Sequence, residues 1–209
     1  MFSLQTMFGK GDKFYGLLEA SADAARQSTR ALIALLNAPV SSRSLDEFRL
    51  ARRREKDLMA QIGQALVETF VTALDREDIE ALAGALYKIP KTVEKFAERY
   101  MLFADRLADV EFASRAVMLE KAADVIVQMT GQLRSGFKLD VMRDLNERMQ
   151  SIESEADRLI LDLYRDLFTN ERDPAKLLLR KDLFELLEKA IDRCRDAGNV
   201  IFTIVLKNS

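Results

Sequence analysis

The stretch that decides the fold is LEASADAARQSTRAL at residues 18–32, which recurs as LEKAADVIVQMTGQL at residues 119–133. The two copies lie 101 residues apart and are identical at seven of fifteen positions. Self-similarity at about half the length of a 209-residue chain predicts one helical unit that has been duplicated. We therefore expect a first repeat over residues 1–108 and a second over residues 109–209, which together form one domain.

The composition favours helices. Hydrophobic residues make up 48% of the chain, and only three Pro and eight Gly interrupt long stretches of Ala, Leu, Glu, Lys, Arg and Met. Apolar residues spaced three and four apart predict six helices, and their short connections make successive helices antiparallel. In the second helix, which the pattern extends to about Ala73, the expected core positions are Leu58, Ile62, Leu66 and Phe70. The predicted fold class is all-α, with six antiparallel helices arranged as two three-helix bundles.

Charge and residue usage exclude several functions. The 32 basic and 34 acidic residues leave a formal charge of -2, so the chain has no basic field that would hold nucleic acid. Cys194 is the only cysteine and lies on an apolar stripe, which is typical of an inert buried thiol. No run approaches the roughly 18 apolar residues of a membrane span, and the first residues do not form a secretory signal. These features predict a soluble cytoplasmic protein.

The sequence contains no histidine. This absence removes Ser-His-Asp and Cys-His catalysis, histidine general bases and imidazole metal ligands. A hydrolase that uses a metal ion also needs a base and groups that orient its substrate, and the sequence offers no candidate for either. We therefore expect a protein that is not an enzyme.

Acidic residues four positions apart lie on one helix face, with about 6 Å between their Cβ atoms. All three helices of the second repeat carry such a row, and the rows are Glu120 and Asp124, Glu153 and Asp157, and Glu188, Asp192 and Asp196. Each row follows the apolar stripe by one residue, so acids face acids across the helix seams and repel unless a cation intervenes. Their oxygen ligands suit iron, manganese, magnesium or calcium and argue against a conventional structural zinc site. The alternative is that the rows are solvated and paired with nearby Lys and Arg.

The first repeat does not keep this acidic pattern. Arg53 stands where Glu153 is expected, and Tyr87 and Lys91 replace Asp192 and Asp196. Basic side chains at these places neutralise the acids that remain. The first repeat is therefore expected to bind fewer metal ions or none.

Three segments resemble the PhoU-like family of phosphate transport regulators. They are ETFVTALDREDI at residues 68–79, IESEAD at residues 152–157 and DRCRDAGN at residues 192–199. The resemblance covers essentially the whole chain. It implies two similar three-helix bundles and multinuclear iron or zinc clusters on the acidic rows. Carried over by position, the implied ligands are Glu153, Asp157, Asp192 and Asp196.

The resemblance also implies a function. It predicts a non-enzymatic cytosolic regulator of inorganic phosphate transport that docks on a phosphate transporter, often a Pit-type permease, at the inner face of the membrane. The alternative is a metal-free helical adaptor. The sequence is compatible with a homo-oligomer but does not determine the oligomeric state.

Overall fold

Six α-helices make up most of the chain in a computed structural model, which describes the backbone of residues 4–209 and the side chains of residues 13–39 and 41–209. No β-strand occurs in residues 4–209, so the predicted all-α class is confirmed. Short 3-10 helices follow α1 at Val40–Ser42 and α3 at Ala104–Leu107. The α-helices are α1 (Leu4–Asn37), α2 (Asp46–Glu68), α3 (Arg76–Phe103), α4 (Ala113–Arg134), α5 (Leu139–Asn170) and α6 (Pro174–Asn208).

The inner layer of the molecule consists of α1 and α3 from the first half and α4 and α6 from the second, with α2 and α5 packed outside. Polar contacts at the two ends of α3 and α6 show the relative direction of these helices. Lys207 Nζ lies 2.7 Å from Asp78 Oδ1 at one end, and Arg99 bonds Asp182 at the other. The two helices are therefore antiparallel, so the α2–α3 turn and the α5–α6 turn lie at opposite ends of the molecule.

The repeated segment forms the contact between α1 and α4. Arg134 Nε lies 2.9 Å from Glu19 Oε1, and Arg30 Nε lies 2.9 Å from Glu120 Oε1. Glu19 and Glu120 are equivalent positions of the repeat, and each reaches an arginine on the helix of the other half. The two self-similar segments therefore lie where the two halves of the chain meet.

A single cluster of buried apolar side chains runs through both halves. Where the halves join, the ring centroids of Phe112 and Phe184 lie 4.6 Å apart, and Phe96 meets Phe112 edge-on at 5.5 Å. Aromatic pairs in such offset and edge arrangements add to the hydrophobic stabilisation of a core. The linker that carries Phe112 contains the predicted boundary at residue 108, and the division into two repeats stays a prediction.

Local signals start and stop the helices of the second half. The Asp173 side chain accepts a hydrogen bond of 2.9 Å from the amide of Ala175 and so caps α6, whose first residue is Pro174. Between α4 and α5, Gly136 has a φ of 88°, a left-handed conformation that glycine adopts without strain. Among the described residues, no helix has the length and low charge that a membrane crossing requires.

The predicted second helix is wrong at its C-terminal end. α2 ends at Glu68, and Phe70 is 96% exposed instead of lying in the core. The cause is Arg76, which donates to the carbonyl oxygens of Leu66 and Thr69 and so satisfies the open end of α2. The backbone then turns outward at Phe70.

Candidate metal centre

Three carboxylates converge between α5 and α6. Glu153 and Asp157 lie one turn apart on α5, and Asp192 faces them from α6. One oxygen atom of each lies within 4.8 Å of the others, and within residues 13–39 and 41–209 this is the one group of three or more such side chains that lie this close together. The site is half-buried, because Glu153 and Asp192 are partly covered and Asp157 is exposed.

Arg195 is the cation that meets this cluster. Its Nη1 bonds Glu153 and lies 3.5 Å from Asp192 Oδ1, while its Nη2 lies 3.4 Å from Asp196 Oδ1. Asp196 also accepts a hydrogen bond of 2.8 Å from Arg193. One guanidinium group therefore balances part of the charge of several carboxylates, and Asp157 makes no salt bridge within the described part of the chain.

Glu188 lies one helical turn before Asp192 on α6 and is half-buried. An open groove of about 490 Å³ beside the cluster is lined by both side chains and gives solvent access to it. Burial is the main cause that raises the pKa of Glu188 to about 7, and repulsion from Asp192, Asp157 and Glu185 adds to it. Burial likewise raises the pKa of Asp192, with Arg195 opposing and Asp157 reinforcing the change. Three acidic side chains therefore share the groove with two basic ones, Lys189 and Arg193.

The predicted pair on α4 lies elsewhere. Glu120 bonds Arg30 and Asp124 Oδ1 lies 3.7 Å from Arg26 Nη1, both on α1. Neither acid is part of the group formed by the α5 and α6 carboxylates. Their partners are arginines of the first half. The structure thus brings together three of the seven predicted ligands and places Glu188 and Asp196 beside them.

The corresponding region of the first half has the opposite charge. Buried pairs such as Phe48 and Met149 align α2 with α5 at an offset of 101 residues, which matches Glu153 to Arg52 and Asp157 to Lys56. An offset of 105 between α3 and α6 matches Asp192 to Tyr87 and Asp196 to Lys91. The residue at the position of Glu153 is therefore Arg52, which is buried, and not Arg53, which is exposed.

In the first half, the side chain of Arg52 occupies the position that corresponds to Glu153. Its Nη2 donates to the Tyr87 hydroxyl at 2.9 Å, its guanidinium carbon lies 4.5 Å from the centre of the Tyr87 ring, and its Nε lies 3.1 Å from Glu94 Oε2. The hydrogen bond from Arg52, with the nearby charges of Lys91 and Lys56, lowers the pKa of Tyr87. Three cations at this place disfavour a metal ion, which agrees with the asymmetry expected from the sequence.

Sequence reasoning missed one buried acid, Glu55 on α2. Its side chain is 1% exposed, and neither its oxygens nor the neighbouring Ser21 hydroxyl makes a hydrogen bond within the described structure. Burial raises the pKa of Glu55 to about 7, although the charges of Arg52 and Arg54 oppose that change. The available signal was its spacing of three from the apolar position Leu58, which places it on the core face.

Comparison with known proteins gives the class of this fold. Over 93% of this chain and 99% of the other, the helices match a PhoU-like protein from Shewanella oneidensis MR-1 with a TM-score of 0.79 and 17% identity. A "putative PhoU-like phosphate regulatory protein" from the same organism matches over the same shares with a TM-score of 0.74 and 16% identity. The resemblance to PhoU-like proteins predicted from the sequence is confirmed, and the chain has the PhoU-like fold.

Two curated proteins are similar in sequence. The UPF0111 protein YkaA of Bacillus subtilis (strain 168) is 26% identical over 144 residues, which are 69% of this chain and 70% of that protein. A "Putative pit accessory protein" of Rhizobium meliloti (strain 1021) is 22% identical over 201 residues, 94% of each chain. No protein-family model matches the chain.

Proposed function

We propose that this protein is a non-enzymatic regulator of inorganic phosphate transport, which binds metal between α5 and α6 and docks on a Pit-type phosphate transporter. The observation that carries the proposal is the convergence of Glu153, Asp157 and Asp192 within a PhoU-like fold. The relatives support the biological role, since one is described as a phosphate regulatory protein and another as a pit accessory protein.

The carboxylate cluster fits a metal ion chemically. Carboxylate oxygens are the preferred ligands of magnesium, manganese and iron, and three of them lie within 4.8 Å of one another. Glu188 and Asp196, on either side of Asp192 along α6, could supply further ligands to a second ion. Zinc is a further candidate because the likeness to PhoU-like proteins implies iron or zinc clusters. We assign the bound metal the role of a scaffold or sensor that joins α5 to α6.

The proposed partner and place of action follow from the relatives. One relative is named a putative pit accessory protein, from which we infer a Pit transporter as the partner and the cytoplasmic face of its membrane as the place of action. The absence of histidine from the sequence supports a regulatory role over a catalytic one, because it removes the commonest general base.

A metal-free helical adaptor is the second candidate, and Arg195 is the observation that favours it. Its guanidinium contacts Glu153, Asp192 and Asp196, so it already offsets part of the repulsion that an ion would relieve. In this alternative the protein still docks on the transporter, but its helices pack identically with and without metal.

Co-expression with the Pit-type permease of the same genome tests the proposal. We expect the tagged permease to retain the wild-type protein during purification without chelator, and phosphate uptake to differ between cells with and without the protein. A chelator wash that releases the protein supports the metal-dependent regulator, whereas retention after complete metal removal supports the adaptor. Failure to co-purify and unchanged uptake together contradict both candidates.

A further inference from the structure

The turn between α2 and α3 exposes three large apolar side chains within five residues. Val67 is 88% exposed, Phe70 is 96% exposed and Val71 is 60% exposed. Isolated exposed apolar residues are ordinary, but neighbouring ones often mark an interaction surface. These three side chains are called the α2–α3 tip below. Phe70 and Val71 belong to the ETFVTALDREDI segment, which Val67 directly precedes, and the metal centre provides no role for this segment.

The backbone of this turn is held in place from within. Arg76 donates to the carbonyl oxygen of Leu66 at 2.5 Å and to that of Thr69, and the Thr72 hydroxyl donates to the carbonyl of Leu74 at 2.6 Å. Thr69 and Leu74 are both buried. The tip is therefore presented by a fixed loop, so a partner that binds it loses little free energy in ordering the loop.

Acidic side chains flank the tip along the sequence. The exposed acids of this turn and its flanking helix ends are Glu68, Asp75, Glu77 and Glu80. None of these four makes a salt bridge to any side chain that the structure describes. Two cations lie near these acids. Arg76 caps α2, and Lys207 lies 2.7 Å from Asp78, with the charges of Asp75 and Glu77 helping to raise its pKa. The four exposed acids and Asp78 outnumber these two cations, so they give the tip a rim of net negative charge.

The negative charge of the rim favours a positively charged partner. Anionic lipid headgroups repel a negative surface, which disfavours insertion of Phe70 into a membrane. Cytosolic loops of membrane proteins carry an excess of Lys and Arg, and these positive charges attract a negative protein surface. We propose that the α2–α3 tip is the surface that docks on the transporter, and that it binds a cytosolic loop in which apolar residues are flanked by Lys and Arg. This inference rests on the transporter partnership proposed above.

The opposite end of the molecule provides a matched control. Phe168, in the last turn of α5, is 69% exposed. Two acids near it are paired, since Arg180 lies 3.4 Å from Asp166 and 3.3 Å from Glu171, and a third, Asp173, caps α6. Phe168 therefore resembles Phe70 in residue type and exposure but lacks the unpaired acidic rim.

The experiment measures binding of the full-length protein to the Pit-type permease in nanodiscs of neutral phosphatidylcholine. We expect Phe70→Ser to raise the Kd by at least about tenfold, as for an aromatic side chain at the centre of an interface, and Phe168→Ser to change it less than about twofold. Reversal of the rim by Glu77→Lys with Glu80→Lys should weaken binding by about tenfold or more. Added salt should weaken the wild-type interaction. All four positions are exposed, and circular dichroism verifies that each variant is folded.

The outcomes separate this inference from the proposed function. Wild-type binding that Phe70→Ser leaves unchanged, or that both phenylalanine variants weaken equally, overturns the tip as the docking surface and leaves the transporter partnership intact. Absence of wild-type binding overturns the partnership together with the tip. Binding of the wild type to phosphatidylglycerol vesicles that Phe70→Ser abolishes identifies the membrane as the occupant and overturns the assignment of a protein loop.

Discussion

Replacement of Glu55 by Gln should stabilise the protein, and the gain should depend on pH. Burial raises the pKa of the Glu55 carboxyl from 4.5 to about 7 in the folded protein. Between these pH values the unfolded chain ionises while the folded protein keeps the proton, so wild-type stability falls as pH rises from 4.5 to 7. Each pKa unit corresponds to about 1.4 kcal/mol, so the full loss is about 3 kcal/mol above pH 7.

Glu55→Gln removes this titration. Any cost of burying the amide is present at every pH, so the difference between two pH values isolates the effect of the charge. Relative to the wild type, the variant should gain about 3 kcal/mol in free energy of unfolding between pH 4.5 and pH 8, measured by urea denaturation of metal-free protein. Glu47→Gln, an exposed change on the same helix, should show almost no such gain. Equal differences at the two pH values for Glu55→Gln would refute the reasoning.

Three further predictions follow from single side chains. Arg195→Gln should lower the Kd for Mn²⁺ by about two- to fivefold, because a cation that competes for the carboxylates is removed. Calorimetric titration measures this Kd, and a Kd higher than that of the wild type contradicts the prediction. Arg76→Ala should lower the free energy of unfolding by about 1–3 kcal/mol, since the carbonyl groups of Leu66 and Thr69 lose their hydrogen-bond donor. Urea denaturation measures this loss, and unchanged stability contradicts the prediction. Burial raises the pKa of the Cys194 thiol, so a disulfide reagent should modify it rapidly only after unfolding, and fast modification of the folded protein contradicts this.

The fold could be predicted because helical periodicity is a local property of the sequence. Stripes such as Leu119, Ala123 and Ile126 recur every three or four residues, and each of these side chains is buried in the structure. The same pattern did not predict where α2 ends. Phe70 fits the stripe by spacing, but Arg76, which follows the turn, ends the helix before the stripe reaches Phe70.

The candidate site was predictable only in part, for a related reason. Spacing along one helix shows that Glu120 and Asp124 share a face, as do Glu153 and Asp157. It does not show which helix lies opposite. α1 supplies arginines to the first pair, whereas α6 supplies Asp192 to the second, so the same local pattern gives an interhelical ion pair in one place and a carboxylate cluster in the other.

The measurement that tests the central claim most directly is the metal content of protein purified without chelator, determined by mass spectrometry. The parent should contain metal, and Asp157→Asn with Asp192→Asn should lose most of it while keeping its helical circular dichroism. The matched control, Glu120→Gln with Asp124→Asn, removes two carboxylates that face arginines and should retain the metal. Equal metal content in the parent and in the Asp157/Asp192 variant would contradict a metal centre between α5 and α6.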